Sequence, residues 1–337
     1  MVPEATFTSY YGRPVVKPSP WENDIPAYLF LGGLAAGSSL LAAGADLTGR
    51  PALRTTGRLG AITAISLSFV ALVHDLGKPS RFVNMLRVAK PTSPMSVGTW
   101  ILSAYGPLAG LAAAAEVVGR AGSLPAPLRL PVRVLAACGR PAGVGAGLVA
   151  PTVAAYTAVL LTDTATPSWH EAYRELPFVF VGSAAAASGG LGMVGAPLHE
   201  AGPARRLAVG GALLELAAEH RMERSMGITA EPLHQGRAGT LMRASKVLTI
   251  AGAAGAALLG RRSRVAAALS GAALMAGSAC TRFAVFEAGQ ASAKDPRYTV
   301  VPQRERLARR QADQAAAAGA ATGGATGGAT GGTAGAT

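Results

Sequence analysis

Charge is scarce in this chain. Only 15% of its 337 residues are Asp, Glu, Lys or Arg, where a soluble protein of this length carries about a quarter. Aromatic residues are scarcer still, at 5%. There are two cysteines, Cys138 and Cys280, far apart and without a CxxC pair. They cannot hold an iron–sulfur cluster, which takes about four thiolates, and they read as small buried apolar residues. No cleavable signal is visible in the first 24 residues, which are polar and Pro-rich with no h-region. The first spanning helix is therefore expected to act as the insertion signal.

What is present in quantity is small and apolar. Half of the residues are hydrophobic, largely Ala, beside 43 Gly. Small residues let helices approach closely in lipid, and the class this defines is a polytopic membrane protein. The net charge of +13 would point to nucleic acid if it formed one patch on a soluble domain. Here the basic residues mark loops between apolar runs, as membrane topology requires, and no nucleic-acid partner is expected.

A spanning helix needs about 20 mostly apolar residues. Eight runs qualify, at 26–45, 57–76, 95–118, 141–162, 176–196, 203–222, 241–260 and 264–287. The sixth is interrupted by Arg205, Arg206, Glu215 and Glu219. Backbone groups in hydrocarbon must be satisfied internally, so the predicted fold is all-α and integral to the membrane. A polar segment (1–25) precedes a first half (26–165) and a second half (166–290). The third loop, Gly119 to Arg133, is Pro-rich. The tail (291–337) ends in an Ala run and an ATGG repeat with little to bury, and is expected to be disordered from about residue 311. An even number of spans puts both termini on one side of a cell membrane. The Lys and Arg distribution leans toward cytoplasmic termini, and the whole lean comes from the C-terminal segment.

Alternating the helix directions sorts the polar residues by side. The side of the termini receives Trp21, Asn23, Asp24, Tyr28, His74, Asp75, Tyr156, Asp163, Glu219, His220, Arg243, Lys246, Arg282 and Glu287. The far side keeps Asp46, Glu116, His199 and Glu200. Ionisable groups in a membrane are costly and mark ion or substrate paths, so the richer face is the candidate functional face. A quinone would need an apolar slot with one or two polar groups at its carbonyl oxygens. Its redox chemistry also needs a titratable group, which histidine supplies and a neighbouring carboxylate can orient. Asp24, Tyr28, His74, Asp75 and Tyr156 suit such a pocket if the first, second and fourth helices meet. The plainer alternatives are a helix-terminal pair among headgroups for His74-Asp75 and an interfacial anchor for Tyr156. Trp21 and Trp100 read as interfacial belt residues. Glu215 and Glu219 are four apart and share a helical face. With Arg243 and Lys246 at matching depth, they form either an ion-pair network or a proton path.

Two blocks carry a family resemblance: YLFLGGLAAG (Tyr28 to Gly37) and HDLGKPSRFVNMLRVAKPTSPMSVGTW (His74 to Trp100). The chain resembles the NrfD/polysulfide reductase membrane subunit family from Trp21 to Arg306. The matching positions are Trp21 with Pro26 to Leu31, His74 to Gly77 with Pro79, Arg81 and Phe82, and Pro94 to Ser96 with Trp100. The resemblance implies eight helices in two four-helix bundles, with no haem and no iron–sulfur cluster in this chain. It implies a quinone (menaquinone or ubiquinone) bound in the first bundle, near the face where a ferredoxin-like four-cluster iron–sulfur subunit docks. That subunit would serve a molybdopterin oxidoreductase catalytic subunit, and the chain alone would have no activity. On this resemblance His74 and Asp75 carry the proton chemistry, while Asp24, Tyr28 and Tyr156 bind the quinone. Lys78, Arg81, Arg87 and Lys90 are candidates for docking an acidic partner, or mark topology and touch lipid phosphates. Thr281 to Gly289 is similar to a formate-dehydrogenase-associated branch. Family members often have the catalytic partner outside the cytoplasm with their termini on that side, against the lean of the charges.

Two other classes are open. A cytochrome b-type anchor needs axial histidine pairs at one depth, and of five histidines only His74 and His220 could pair. A secondary transporter often shows inverted repeats, and no convincing repeat relates the two halves.

Overall fold

The apolar runs become helices whose ends are set by proline and glycine. A computed structural model describes residues 14–78, 80, 82–120 and 129–326. The long helices of the first half are α1 (Asp24–Leu47), α2 (Pro51–Asp75), α4 (Pro94–Val118) and α5 (Arg129–Thr162), with a single turn α3 (Phe82–Met85) in the crossing between α2 and α4. A short α6 (Pro167–Glu171) leads to α7 (Leu176–Gly195) and α8 (Gly202–Ser225). A 3-10 turn (Gly227–Leu233) precedes α9 (Gly236–Leu258), α10 (Arg264–Lys294) and α11 (Arg297–Thr326). Proline opens α2 and α4, where its missing N–H costs nothing. Gly77, at φ 64°, takes the left-handed position that ends α2. The glycine of the His-Asp-Leu-Gly motif is thus a helix stop.

Among the described residues, seven helices are long and apolar enough to cross a membrane: α1, α2, α4, α5, α7, α9 and α10. The sixth expected run, α8, is a full-length helix outside that set, because its charged residues lower its hydropathy. Two of those charges, Glu215 and Glu219, are buried inside the protein, while Leu213 and Leu214 face outward. α5 starts well before the expected run at 141, so the end of the Pro-rich loop is helical; residues 121–128 lie outside the described residues. α11 continues past residue 311, where composition alone predicts disorder. The Ala run is a strong helix former, and residues 303–317 are exposed along it. An Arg306–Glu171 ion pair (2.7 Å) ties its start to α6.

In the first half α1 packs on α2 and α5, and α4 packs on α5 and α2. In the second half α7 packs on α8 and α10, and α9 on α10 and α8; α1 and α7 meet along the seam. Small residues set these distances. A methyl group built on Gly190 would strike the backbone of Gly271, and one on Gly271 would strike Gly190, so α7 and α10 touch backbone to backbone. The outer surface carries exposed Leu67, Val70, Leu148, Phe178, Val247 and Leu269. A surface of that kind needs an apolar cover.

Candidate functional site

At the end of the first half nearest the N-terminal segment, a cavity of about 380 Å³ opens between α1, α2, α4 and α5. Ile25, Leu72, Met95, Leu102 and Leu160 give it apolar walls, and Tyr28, Asp75, Thr99 and Tyr156 its polar lining. Tyr28 and Tyr156 are both buried, and their hydroxyls are hydrogen-bonded to each other. Two neighbours hold this pair. The Ser68 hydroxyl of α2 donates to the Tyr28 carbonyl at 3.1 Å, fastening α2 to α1. Gly98 of α4 lies flat against the Tyr156 ring, where a Cβ would collide with it. The ring fits because α4 has no side chain there.

Of the five residues expected to meet, Tyr28, Asp75 and Tyr156 line this one cavity. His74 and Asp24 pair with each other instead, His74 Nδ1 to Asp24 Oδ2 at 2.7 Å. The His74 side chain is 79% exposed, so the pair sits at the rim, one residue along the chain from the lining residues Asp75 and Ile25. Trp21 also lines the cavity. Its ring centroid is 6.0 Å from that of Trp169, a fully buried indole whose Nε1 donates to the Val285 carbonyl at 2.8 Å. Gln290 donates to the Ser19 and Trp21 carbonyls at 3.1 Å each. The segment before α1 is therefore stitched onto α10 and closes one wall of the cavity. Trp21 is more than a belt residue. Trp169 has no counterpart in the sequence reading, because it lies in α6 between two apolar runs.

The basic crossing after α2 is fastened to α4 by the second motif. Ser96 Oγ donates to the Val88 carbonyl (2.8 Å) and accepts from the Lys90 N–H (2.9 Å), while Trp100 Nε1 donates to the same carbonyl at 3.2 Å. Lys78, Arg87 and Lys90 are exposed on it. Arg81 and Pro79 lie outside the described residues.

The second half divides its expected cluster. Lys246 Nζ reaches Glu219 at 3.5 Å and Glu223 at 2.8 Å. Glu215 is deeper and accepts from the Thr281 hydroxyl at 2.7 Å. Arg243 donates to Thr240 Oγ1 at 3.5 Å and not to the glutamates. It follows Thr240 by three residues on α9, so the two share a face. A fully buried cation, Arg282, lies over the Phe180 ring at 3.8 Å and donates to the Phe180 carbonyl at 2.8 Å. Sequence placed Arg282 among the polar residues without a role, and did not single out Glu223.

The far side is also more charged than expected. Asp46 and Glu116 are held by Arg54, Arg58 and Arg120 at 2.6–3.2 Å. Arg54 and Arg58 precede or open the second apolar run, so hydropathy assigns them to its edge. They are i,i+4 neighbours on one face of α2. Among the described residues no group of three or more His, Cys, Asp or Glu side chains is placed to hold a metal.

A set of long apolar helices with a tyrosine-lined cleft at one end and a fastened basic loop beside it defines a multi-pass membrane protein. The family model described as polysulphide reductase, NrfD, matches residues 15–198, more than half of the chain. The chain belongs to the polysulphide reductase NrfD family. Both sequence blocks and the cleft fall within the matched residues; Thr281 to Gly289 falls beyond them. No curated protein matches the chain.

Proposed function

We propose that the chain is the quinone-reactive membrane anchor of a multisubunit oxidoreductase, built as eight membrane helices in two four-helix bundles, with α8 as the eighth. The observation that carries this is the cavity between α1, α2, α4 and α5: apolar walls, two buried phenols at one point of the lining, and a carboxylate in the same lining. Those residues fit a quinone, whose ring and tail need apolar contact and whose carbonyl oxygens need donors. When bound, a quinone takes up two electrons and two protons, or the quinol releases them. Tyr28 and Tyr156 orient one carbonyl oxygen. Asp75 holds a proton at its carboxylate within the lining, and the His74–Asp24 pair exchanges it with water at the rim. Electrons come from, or go to, a ferredoxin-like four-cluster iron–sulfur subunit docked on Lys78, Arg87 and Lys90, which in turn serves a molybdopterin catalytic subunit. Formate is the substrate this reading assigns to that subunit, from the likeness of Thr281 to Gly289. Exposed Arg304, Arg306, Arg309 and Arg310 on α11 favour a cell membrane with cytoplasmic termini.

The test uses the assembled complex. His74→Ala and Asp75→Asn should each depress quinone-linked turnover while leaving dye-linked activity of the catalytic subunit intact. Undiminished quinone turnover in both variants would remove the cleft from the reaction. Glu219, Glu223 and Lys246 are read as a structural ion-pair network, since the lysine is shared between two carboxylates at contact distance.

A further inference from the structure

At the opposite end of the molecule from the cleft, two arginine-rich cavities open. They differ in one respect. The first, about 320 Å³, contains Asp46 and Glu116, and its Arg54, Arg58 and Arg120 are ion-paired with them. The second, about 540 Å³, is lined by Arg50, His199, Arg205, Arg206 and Arg261, with no carboxylate in the lining. None of these four guanidiniums has an ion-pair partner among the described residues. Arg205 lies within electrostatic reach of both Arg206 and Arg261. The neighbouring acid Glu200 is engaged by other groups than the arginines: its Oε2 accepts from the Leu53 N–H at 3.0 Å at the start of α2, and its Oε1 is 3.8 Å from His199 of the lining. α8 begins at this cavity without a side-chain cap, so its first turn adds further positive potential.

The basin sits where α1, α7 and α9, three of the helices long and apolar enough to cross a membrane, end. Leu47, beside Arg50 in the chain, and Leu258, Leu259 and Val265, on either side of Arg261, are exposed there. Clustered cations without a protein counter-charge, beside an apolar surface, call for an anion that brings its own hydrocarbon. We propose that this basin binds the phosphate headgroup of an anionic phospholipid, with its acyl chains lying on the neighbouring leucines. Guanidinium forks suit phosphate oxygens, and basic pockets between membrane helices take such headgroups.

The full-length protein, purified in detergent and stripped of lipid, is titrated with phosphatidylglycerol, phosphatidylcholine or inorganic phosphate. Binding is read by native mass spectrometry and by thermal shift. Phosphatidylglycerol should bind and raise the unfolding temperature, and phosphatidylcholine should do neither. Arg205→Gln with Arg206→Gln should weaken phosphatidylglycerol about thirtyfold, at roughly fivefold per basic residue near a lipid surface. Arg262→Gln, outside the basin lining, should leave it unchanged. Equal binding of phosphatidylcholine, or full binding by the double variant, overturns the proposal. An equal shift from inorganic phosphate alone also overturns it, by assigning the basin to a soluble anion. If the double variant does not fold, the comparison of the two lipids on the unmodified chain decides.

Discussion

The phenol hydroxyls of Tyr28 on α1 and Tyr156 on α5, 128 residues apart in the chain, hydrogen bond to each other in the wall of the cleft. Each is less than a tenth exposed. Two donors at one point leave a hydroxyl hydrogen available to a third oxygen, which a phenol paired with a carbonyl would not.

Tyr28→Phe and Tyr156→Phe should each weaken quinone binding about tenfold, the worth of one hydrogen bond of roughly 1–1.5 kcal/mol. Because the two hydroxyls touch, the double variant should lose less than the product of the single losses. The measurement is KM for quinone in the assembled complex, with dye-linked activity as the control. Strictly multiplicative losses would show that the phenols act separately.

Gly98→Ala should damage the cleft through Tyr156 alone. A methyl group there meets the Tyr156 ring, and overpacking of this kind costs about 1–3 kcal/mol. Gly106→Ala on the same helix has nothing within 4 Å and serves as the matched control. A Gly98→Ala protein with normal quinone KM and normal thermal stability would show that the ring moves aside freely.

Glu116→Ala should be among the most destabilising single changes in the first half. The carboxylate is 4% exposed and is the shared partner of Arg54, Arg58 and Arg120. Breaking a buried pair from one side costs roughly 3–5 kcal/mol. Thermal unfolding in detergent reads it. Arg58→Met combined with Glu116→Leu should recover part of the loss, since an apolar pair leaves fewer charges stranded.

Lys246→Met and Glu215→Gln separate a structural network from a proton path. The network reading predicts lower thermal stability for Lys246→Met, which strands Glu219 and Glu223, with quinone-linked turnover of both variants kept. A large loss of turnover in Glu215→Gln at unchanged stability would favour conduction through α8.

How much of this was legible differs from residue to residue. His74-Asp75 could be placed at a helix end because the apolar run stops there and Gly77 ends the helix. That Asp75 turns into the cleft while His74 turns out to Asp24 could not be read, since adjacent residues on a helix point about 100° apart and nothing local says which faces inward. Arg243 and Lys246 looked equivalent by depth, yet only Lys246 reaches the glutamates. Trp169 gave no signal, because a short polar-flanked helix between two membrane runs looks like any loop.

Composition and the spacing of apolar runs determined on their own that the chain is helical and lies in a membrane. Those properties follow from the local preference of each segment for lipid over water, which depends on the segment alone. Which phenols share a hydrogen bond, which arginines are neutralised and which are left open, and where a cavity remains were decided only by the tertiary structure. Each depends on how closely Gly- and Ala-faced helices approach and at what rotation, and that is set by contacts between different helices rather than within one segment.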